Sequence, residues 1–89
     1  MTNMKELEKT LKALANKRRL AVVQYLKEHK TASVAEIAEA INLSFKATSK
    51  HLCILAACDI VDKEQKSVQM FYSLARLQKP AARSILHIL

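Results

Sequence analysis

Apolar residues recur at helical spacing over most of this chain and at alternate positions near residue 70. Leu7, Leu11 and Leu14 fall at i, i+4 and i+7, one stripe of a first helix that Asn3, followed by Glu6, is placed to open. Asn16 stands where a second helix needs an N-cap. Leu20, Val23 and Leu26 would form the inner face of that helix, with Val22 and Tyr25 alongside, and His29 and Lys30 fall near its end, where positive charge suits the dipole. Ser33-Val34-Ala35-Glu36 has the form of a capping box. The serine hydroxyl accepts from the backbone N–H three residues on, and the glutamate reaches back. It predicts a short third helix with Val34, Ile37, Ala38 and Ile41 inward.

Asn42-Leu43-Ser44 comes next. A tight turn between helices wants positive φ just past the first, and in a chain without glycine, asparagine is the next-best tenant. Ser44 then caps a fourth helix, and Asp59 is placed to end it as Asn42 ends the third. Beyond it, Val68, Met70 and Tyr72 alternate with Gln69, Phe71 and Ser73. Segments Ile60 to Glu64 and Val68 to Leu74 therefore predict a β-hairpin about a polar tip, Gln65-Lys66-Ser67. Pro80 suits the opening of a last helix, Ala81 to Leu89, carrying Ile85, Leu86, Ile88 and Leu89. The predicted fold is mainly α with a small β-hairpin (α+β), in the order ααααββα. This is a winged helix-turn-helix, with the helix-turn-helix over about 33–57 and the wing over about 60–74.

The fourth helix has two unlike faces. Thr48, Leu52 and Leu55, with His51 at the margin, share the side that would pack on the third helix. Lys46, Ser49, Lys50 and Cys53 fall at i, i+3, i+4 and i+7 on the opposite side, and Phe45 and Ala47 stand at the N-terminal end. A merely solvated amphipathic face is the ordinary explanation. Three features favour nucleic acid instead: no acid occurs from Asn42 to Cys58, a capped helix-turn unit precedes the helix, and a hairpin with Lys63 and Lys66 follows it. The lysines would supply affinity for phosphates. Ser49, Lys46 and Phe45, the last against a thymine methyl, are the candidates to read sequence.

Composition supports this reading. The 89 residues, 1–89, bound the chain to one domain. With 15 Lys plus Arg against 8 Asp plus Glu, the formal charge is +7, as expected of a protein that meets phosphates. The absence of glycine excludes Gly-rich nucleotide loops, and no cofactor is implied. No apolar run approaches the ~18 residues of a membrane span. Two cysteines, Cys53 and Cys58, make no disulfide scaffold, so a cytoplasmic location without membrane attachment is expected.

Several stretches together resemble the ArsR/SmtB group of bacterial and archaeal winged-helix repressors. They are Leu11 to Leu20 (LKALANKRRL), Val34 to Ala38, Leu43-Ser44, Ser49-Lys50-His51-Leu52, Leu55 and Phe71 to Leu74. The resemblance runs from about Leu7 to Leu74. It implies a homodimer built from the first and last helices that binds double-stranded DNA at a pseudo-palindromic operator and leaves when an effector binds. Together with the caps and wing, it gives a candidate DNA-binding set of Ser44, Phe45, Lys46, Ala47, Ser49, Lys50, His51, Lys63, Lys66 and Ser67. The candidate dimer surface is Leu7, Leu11, Leu14, Ile85, Leu86, Ile88 and Leu89, although packing within one subunit would also use such residues.

The family's usual metal ligands are missing. Its Cys-x-Cys positions correspond here to Ser33 and Ala35, no Asp or Glu occurs after Glu64, and His87 stands alone. No metal site is expected, and the effector is unknown. Cys53, beside Lys46 and Lys50, is either a plain exposed thiol or a redox-sensitive one, and Cys58 is expected as buried filler. The two lie roughly 140° apart around a helix, so an intrachain disulfide would require unwinding. His51 is a phosphate or base donor or a packing residue. His51 and Cys53, two apart, point to different sides, so no catalytic pair forms and no enzyme is expected. Two alternatives stay open: a winged-helix protein-interaction module, and a nonspecific architectural DNA binder.

Overall fold

Side-chain caps begin four of the five helices in the computed structural model, which describes residues 3–89. Asn3 Oδ1 accepts from the N–H of Lys5 and Glu6 to open α1 (Met4–Leu14). Asn16 Oδ1 accepts from Arg18 and Arg19 at 3.0 and 3.1 Å to open α2 (Lys17–His29). A short strand, β1 (Thr31–Ser33), leads into α3 (Val34–Ala40). The capping box of α3 closes both ways: Glu36 N–H donates to Ser33 Oγ at 3.2 Å and Ser33 N–H to Glu36 Oε1 at 2.8 Å. Ser44 Oγ accepts from Ala47 N–H at 3.1 Å to start α4 (Phe45–Ala57). The strands β2 (Val61–Lys66) and β3 (Gln69–Leu74) follow, and Pro80 stands in the first turn of α5 (Pro80–Ile88).

Both ends of α4 are set by the same device. Asn42 has φ 55, and past the end of α3 the N–H of Leu43 reaches back to Ala38 O at 3.0 Å while that of Asn42 reaches Glu39 O. This is a Schellman motif, and it makes the turn between α3 and α4 short. Asp59, with φ 58, repeats it: Ile60 N–H donates to Leu55 O and Asp59 N–H to Ala56 O, each at 3.0 Å. The sheet is antiparallel in the order β1-β3-β2. Its third strand was not foreseen: Thr31, Ala32 and Ser33 pair with Ser73, Tyr72 and Phe71. Ser33 therefore serves as ladder partner and helix cap at once. The hairpin turn also lies later than the predicted polar tip. Lys66 pairs with Gln69, leaving Ser67, at φ 59, and Val68 to turn the chain. A tight hairpin between right-twisted strands needs positive φ at the turn, and serine holds the place glycine usually takes.

The core lies where α2, α3, α4 and the sheet meet, around Val22, Val23, Leu26, Ile37, Leu52, Leu55, Ile60, Val61 and Tyr72. One expectation is corrected here. Leu14, placed above with the candidate dimer surface, is 4% exposed and belongs to the core of this chain, because the chain doubles back into α2 immediately after it. Leu11, at 46%, and the half-buried Leu7 remain on the outward side of α1. On α5, Ile85, Leu86 and the adjacent Leu89 pack partly on the core, while Ile88 is 77% exposed.

Thr48 is fully buried on the inner face of α4, and its Oγ1 has no hydrogen-bond partner. A buried hydroxyl without a partner costs about 1–3 kcal/mol. Thr48→Val is therefore expected to stabilise the domain by about 1 kcal/mol, raising the melting temperature by about 4–8 °C. A fall in melting temperature would show that the hydroxyl is satisfied in solution.

Candidate nucleic-acid interface

Two ridges run along the outer face of α4: Phe45, Ser49 and Cys53 at i, i+4 and i+8, and Lys46, Lys50 and Ile54 one residue later. Together these six side chains line one open, shallow surface. Phe45 is 60% exposed and Ile54 42%, Lys46, Lys50 and Cys53 are exposed, and Ser49 is half-buried between them. The first turn of α4 carries no acid, so the positive end of its dipole is left for an anionic partner. Ile54 was missed in the sequence, although its spacing of four from Lys50 would have placed it.

The remaining expected residues take different positions. Ser44 is exposed but engaged as the cap, and Ala47 is half-buried, outside that surface. His51 is half-buried on the flank, its Nδ1 3.2 Å from Nη1 of Arg19. A guanidinium only donates, so Nδ1 accepts and the ring proton sits on Nε2. Burial, then Arg19 and Arg18, hold the His51 pKa below its ordinary value of 6.5. The ring is neutral at pH 7 and offers at most one N–H, not a cation.

In the wing, register separates the two lysines. Lys63 pairs with Tyr72 and so shares the sheet face of that buried ring, the side on which β2 packs against α4. Burial, then the neighbouring Cys53 of α4, push the Tyr72 hydroxyl pKa up. Lys66 projects from the opposite face, 3.7 Å from the Glu64 carboxylate and 5.6 Å from the centroid of Phe71. Its charge is partly answered within the hairpin. Ser67 and Val68 form the tip, Val68 at 91% exposed. Cys58, as expected, is buried, with its thiol 3.8 Å from the Lys9 carbonyl. Ser33 is fully used as cap and strand partner, and no helix among the described residues is long and apolar enough to cross a membrane.

Comparison with known proteins fits this arrangement. Residues 16–63 match the family model for bacterial regulatory proteins of the arsR family. The chain is 33% identical to the transcriptional activator HlyU of Vibrio cholerae over 92 residues, covering 96% of this chain and 84% of that protein. The structure of reduced HlyU from Vibrio cholerae superposes with a TM-score of 0.81 at 28% identity, covering 96% of this chain and 85% of that one. A winged helix-turn-helix domain of Mycobacterium bovis, Mb0332, described as homodimeric, shares the fold with a TM-score of 0.81 at 22% identity, covering 96% and 75% of the two chains. The two expected elements of the fold, a helix-turn-helix and a wing, are thus those of a known group, and the chain belongs to the ArsR family of bacterial regulatory proteins, as a transcriptional regulator with a winged helix-turn-helix fold.

Proposed function

We propose that this regulator binds an inverted-repeat duplex DNA site as a homodimer, inserting α4 into the major groove. The observation that carries the reading is the single open surface formed by Phe45, Lys46, Ser49, Lys50, Cys53 and Ile54, basic and free of acids. Lys46 and Lys50 supply phosphate contacts that hold for any sequence. Ser49, Lys46 and Phe45 are placed to read base edges and thymine methyls. Lys63, on the α4 side of the wing, extends the basic surface, and Ser67 and Val68 at the tip reach the adjacent backbone.

Dimerisation through α1 and α5 is supported by what those helices leave outside. Leu7 and Leu11 lie with Met4 along one shallow face of α1, and Ile88 stands out from α5. Two-fold pairing through these helices would set two copies of α4 about one DNA turn, ~34 Å, apart. The direction of regulation follows from where the bound site lies relative to a promoter. Occlusion of a promoter gives the repressor expected from the sequence, whereas HlyU of Vibrio cholerae is named an activator. Binding to duplex DNA fits a cytoplasmic location.

Selection from random duplexes tests this function. It should return an inverted repeat, and Ser49→Ala should change the preference at particular base pairs while Lys50→Ala weakens all duplexes alike. Recovery of no motif would favour an architectural binder. Retention of no duplex even at low salt would favour a protein-interaction module and sink the proposal.

A further inference from the structure

We propose that Arg19 is a positioning residue for α4, one guanidinium tying the end of the dimerisation helix to the middle of the DNA-reading helix. Its Nε donates to the Ala13 carbonyl and its Nη2 to the Lys12 carbonyl at 3.3 Å, while Nη1 lies 3.2 Å from Nδ1 of His51. The last backbone bond of α1 runs from Ala15 N–H to Leu11 O, so the carbonyls of Lys12 and Ala13 are orphan acceptors at the negative end of the dipole. A fixed cation is favoured there. Planar guanidinium serves both carbonyls and an imidazole together, whereas the ammonium of lysine, a point charge on a flexible stem, does not reproduce that fork.

Arg19 is itself held, because its backbone N–H is bound by the Asn16 cap at 3.1 Å. The other polar links between α1 and the far end of α4 are longer, Lys9 Nζ to Ala57 O at 3.5 Å and Cys58 Sγ to Lys9 O at 3.8 Å. The proposal rests on the DNA-binding reading above. It adds that the angle between the pairing surface and the reading surface, and hence the fit to two half-sites, depends on this one side chain.

The tie requires neutral His51. The charged groups bearing on its ring are Arg19 and Arg18, both from α2. From α1 come the two carbonyls, with the Lys12 ammonium 3.9 Å from Glu8, and on α4 itself Lys50 is adjacent in sequence. Protonation would turn Nδ1 from acceptor into donor, facing a second donor, and the bond to Arg19 would break. Since the folded state disfavours the imidazolium, this contribution is present above pH 6.5 and lost as pH falls through the lower folded value.

The experiment measures binding of the full chain to the selected duplex and to a random duplex, from about pH 8 to about pH 5.5. Wild type is compared with Arg19→Lys, which preserves charge, and with His51→Asn, whose amide oxygen keeps an acceptor near the Nδ1 position without titrating. Arg19→Lys should lose about tenfold in affinity for the selected duplex while keeping its affinity for random DNA and its salt slope. Wild type should lose its preference as pH falls through the folded-state pKa of His51, which lies below 6.5, and His51→Asn should hold its own flat.

Three results would overturn the proposal: an unchanged preference in Arg19→Lys, tighter selected-site binding by wild type at low pH, or a His51→Asn profile that follows wild type. The second would make His51 a phosphate donor. Should Arg19→Lys fail to fold, the His51→Asn profile decides alone. Failure of the DNA-binding reading is separate, since wild type at about pH 8 would then not prefer the selected duplex at all.

Discussion

Replacing Lys46 and Lys50 together by glutamate is expected to lower affinity for duplex DNA roughly a thousandfold near physiological salt and to leave the fold intact. Each lysine is exposed on the outer face of α4, and neither forms an ion pair among the described residues. Their removal therefore uncovers no buried partner, and the melting temperature should move little. In a dimer the exchange removes about four phosphate contacts, and the reversed charge adds repulsion to that loss. The log–log dependence of affinity on salt should become shallower by about 3–4 units, from ~0.9 per phosphate. Lys66→Glu should act more weakly, because Lys66 already lies against Glu64 and over Phe71 within its own hairpin. Binding titrations of the two variants and wild type at several salt concentrations check the ranking. Equal loss from the wing and helix variants would show that charge count, not the α4 surface, governs binding.

The largest effect on stability is expected from Leu52→Ala. Leu52 is fully buried where α4 meets the core, and truncation leaves a cavity that a small domain cannot collapse around. The cost should be about 3 kcal/mol, out of a total that for domains of this size is about 5–15 kcal/mol. In thermal unfolding followed by circular dichroism this corresponds to a fall of roughly 15 °C. Ile54→Ala, two residues further along the same helix but 42% exposed, should change stability by less than about 1 kcal/mol while altering DNA binding. Similar losses of stability at both positions would mean that the inner and outer faces of α4 have been assigned incorrectly.

Local chemistry was the most legible part of the sequence. Asn3, Asn16, Ser33 with Glu36, and Ser44 each cap the helix they were expected to cap, because the signal lies within three residues of the bond it makes. Asn42 and Asp59 take the positive φ expected of them, since a chain lacking glycine has few other residues to put there. What could not be read depends on partners distant in the chain. Strand β1 is three residues long and exists only because Tyr72 and its neighbours, forty residues on, present an open edge. Leu14 continues the apolar stripe of α1 without a break, and only the return of α2 shows that it faces inward. The turn at Ser67 and Val68 escaped because positive φ at serine has no compositional signature.

The candidate surface was readable for a similar reason. Lys46, Ser49, Lys50 and Cys53 are placed by helix periodicity alone, and the open surface on α4 gathers those four with Phe45 and Ile54. His51 was the ambiguous member, and its ambiguity has a physical source. Its partner, Arg19, lies 32 residues away and reaches it only because α1, α2 and α4 converge. Nothing in the spacing of Arg18 and Arg19 distinguishes the first, which is exposed, from the second, which joins three elements.

The most direct measurement is chemical-shift mapping of the labelled protein on a selected inverted-repeat duplex. Changes concentrated in residues 44–54 and in the hairpin at 61–70, with the inner-face signals of Leu52 and Leu55 comparatively still, are what a major-groove helix with an adjoining wing would give. A bound complex in which Lys46, Ser49 and Lys50 keep their free shifts, with the changes falling elsewhere, would mean that another surface meets the DNA.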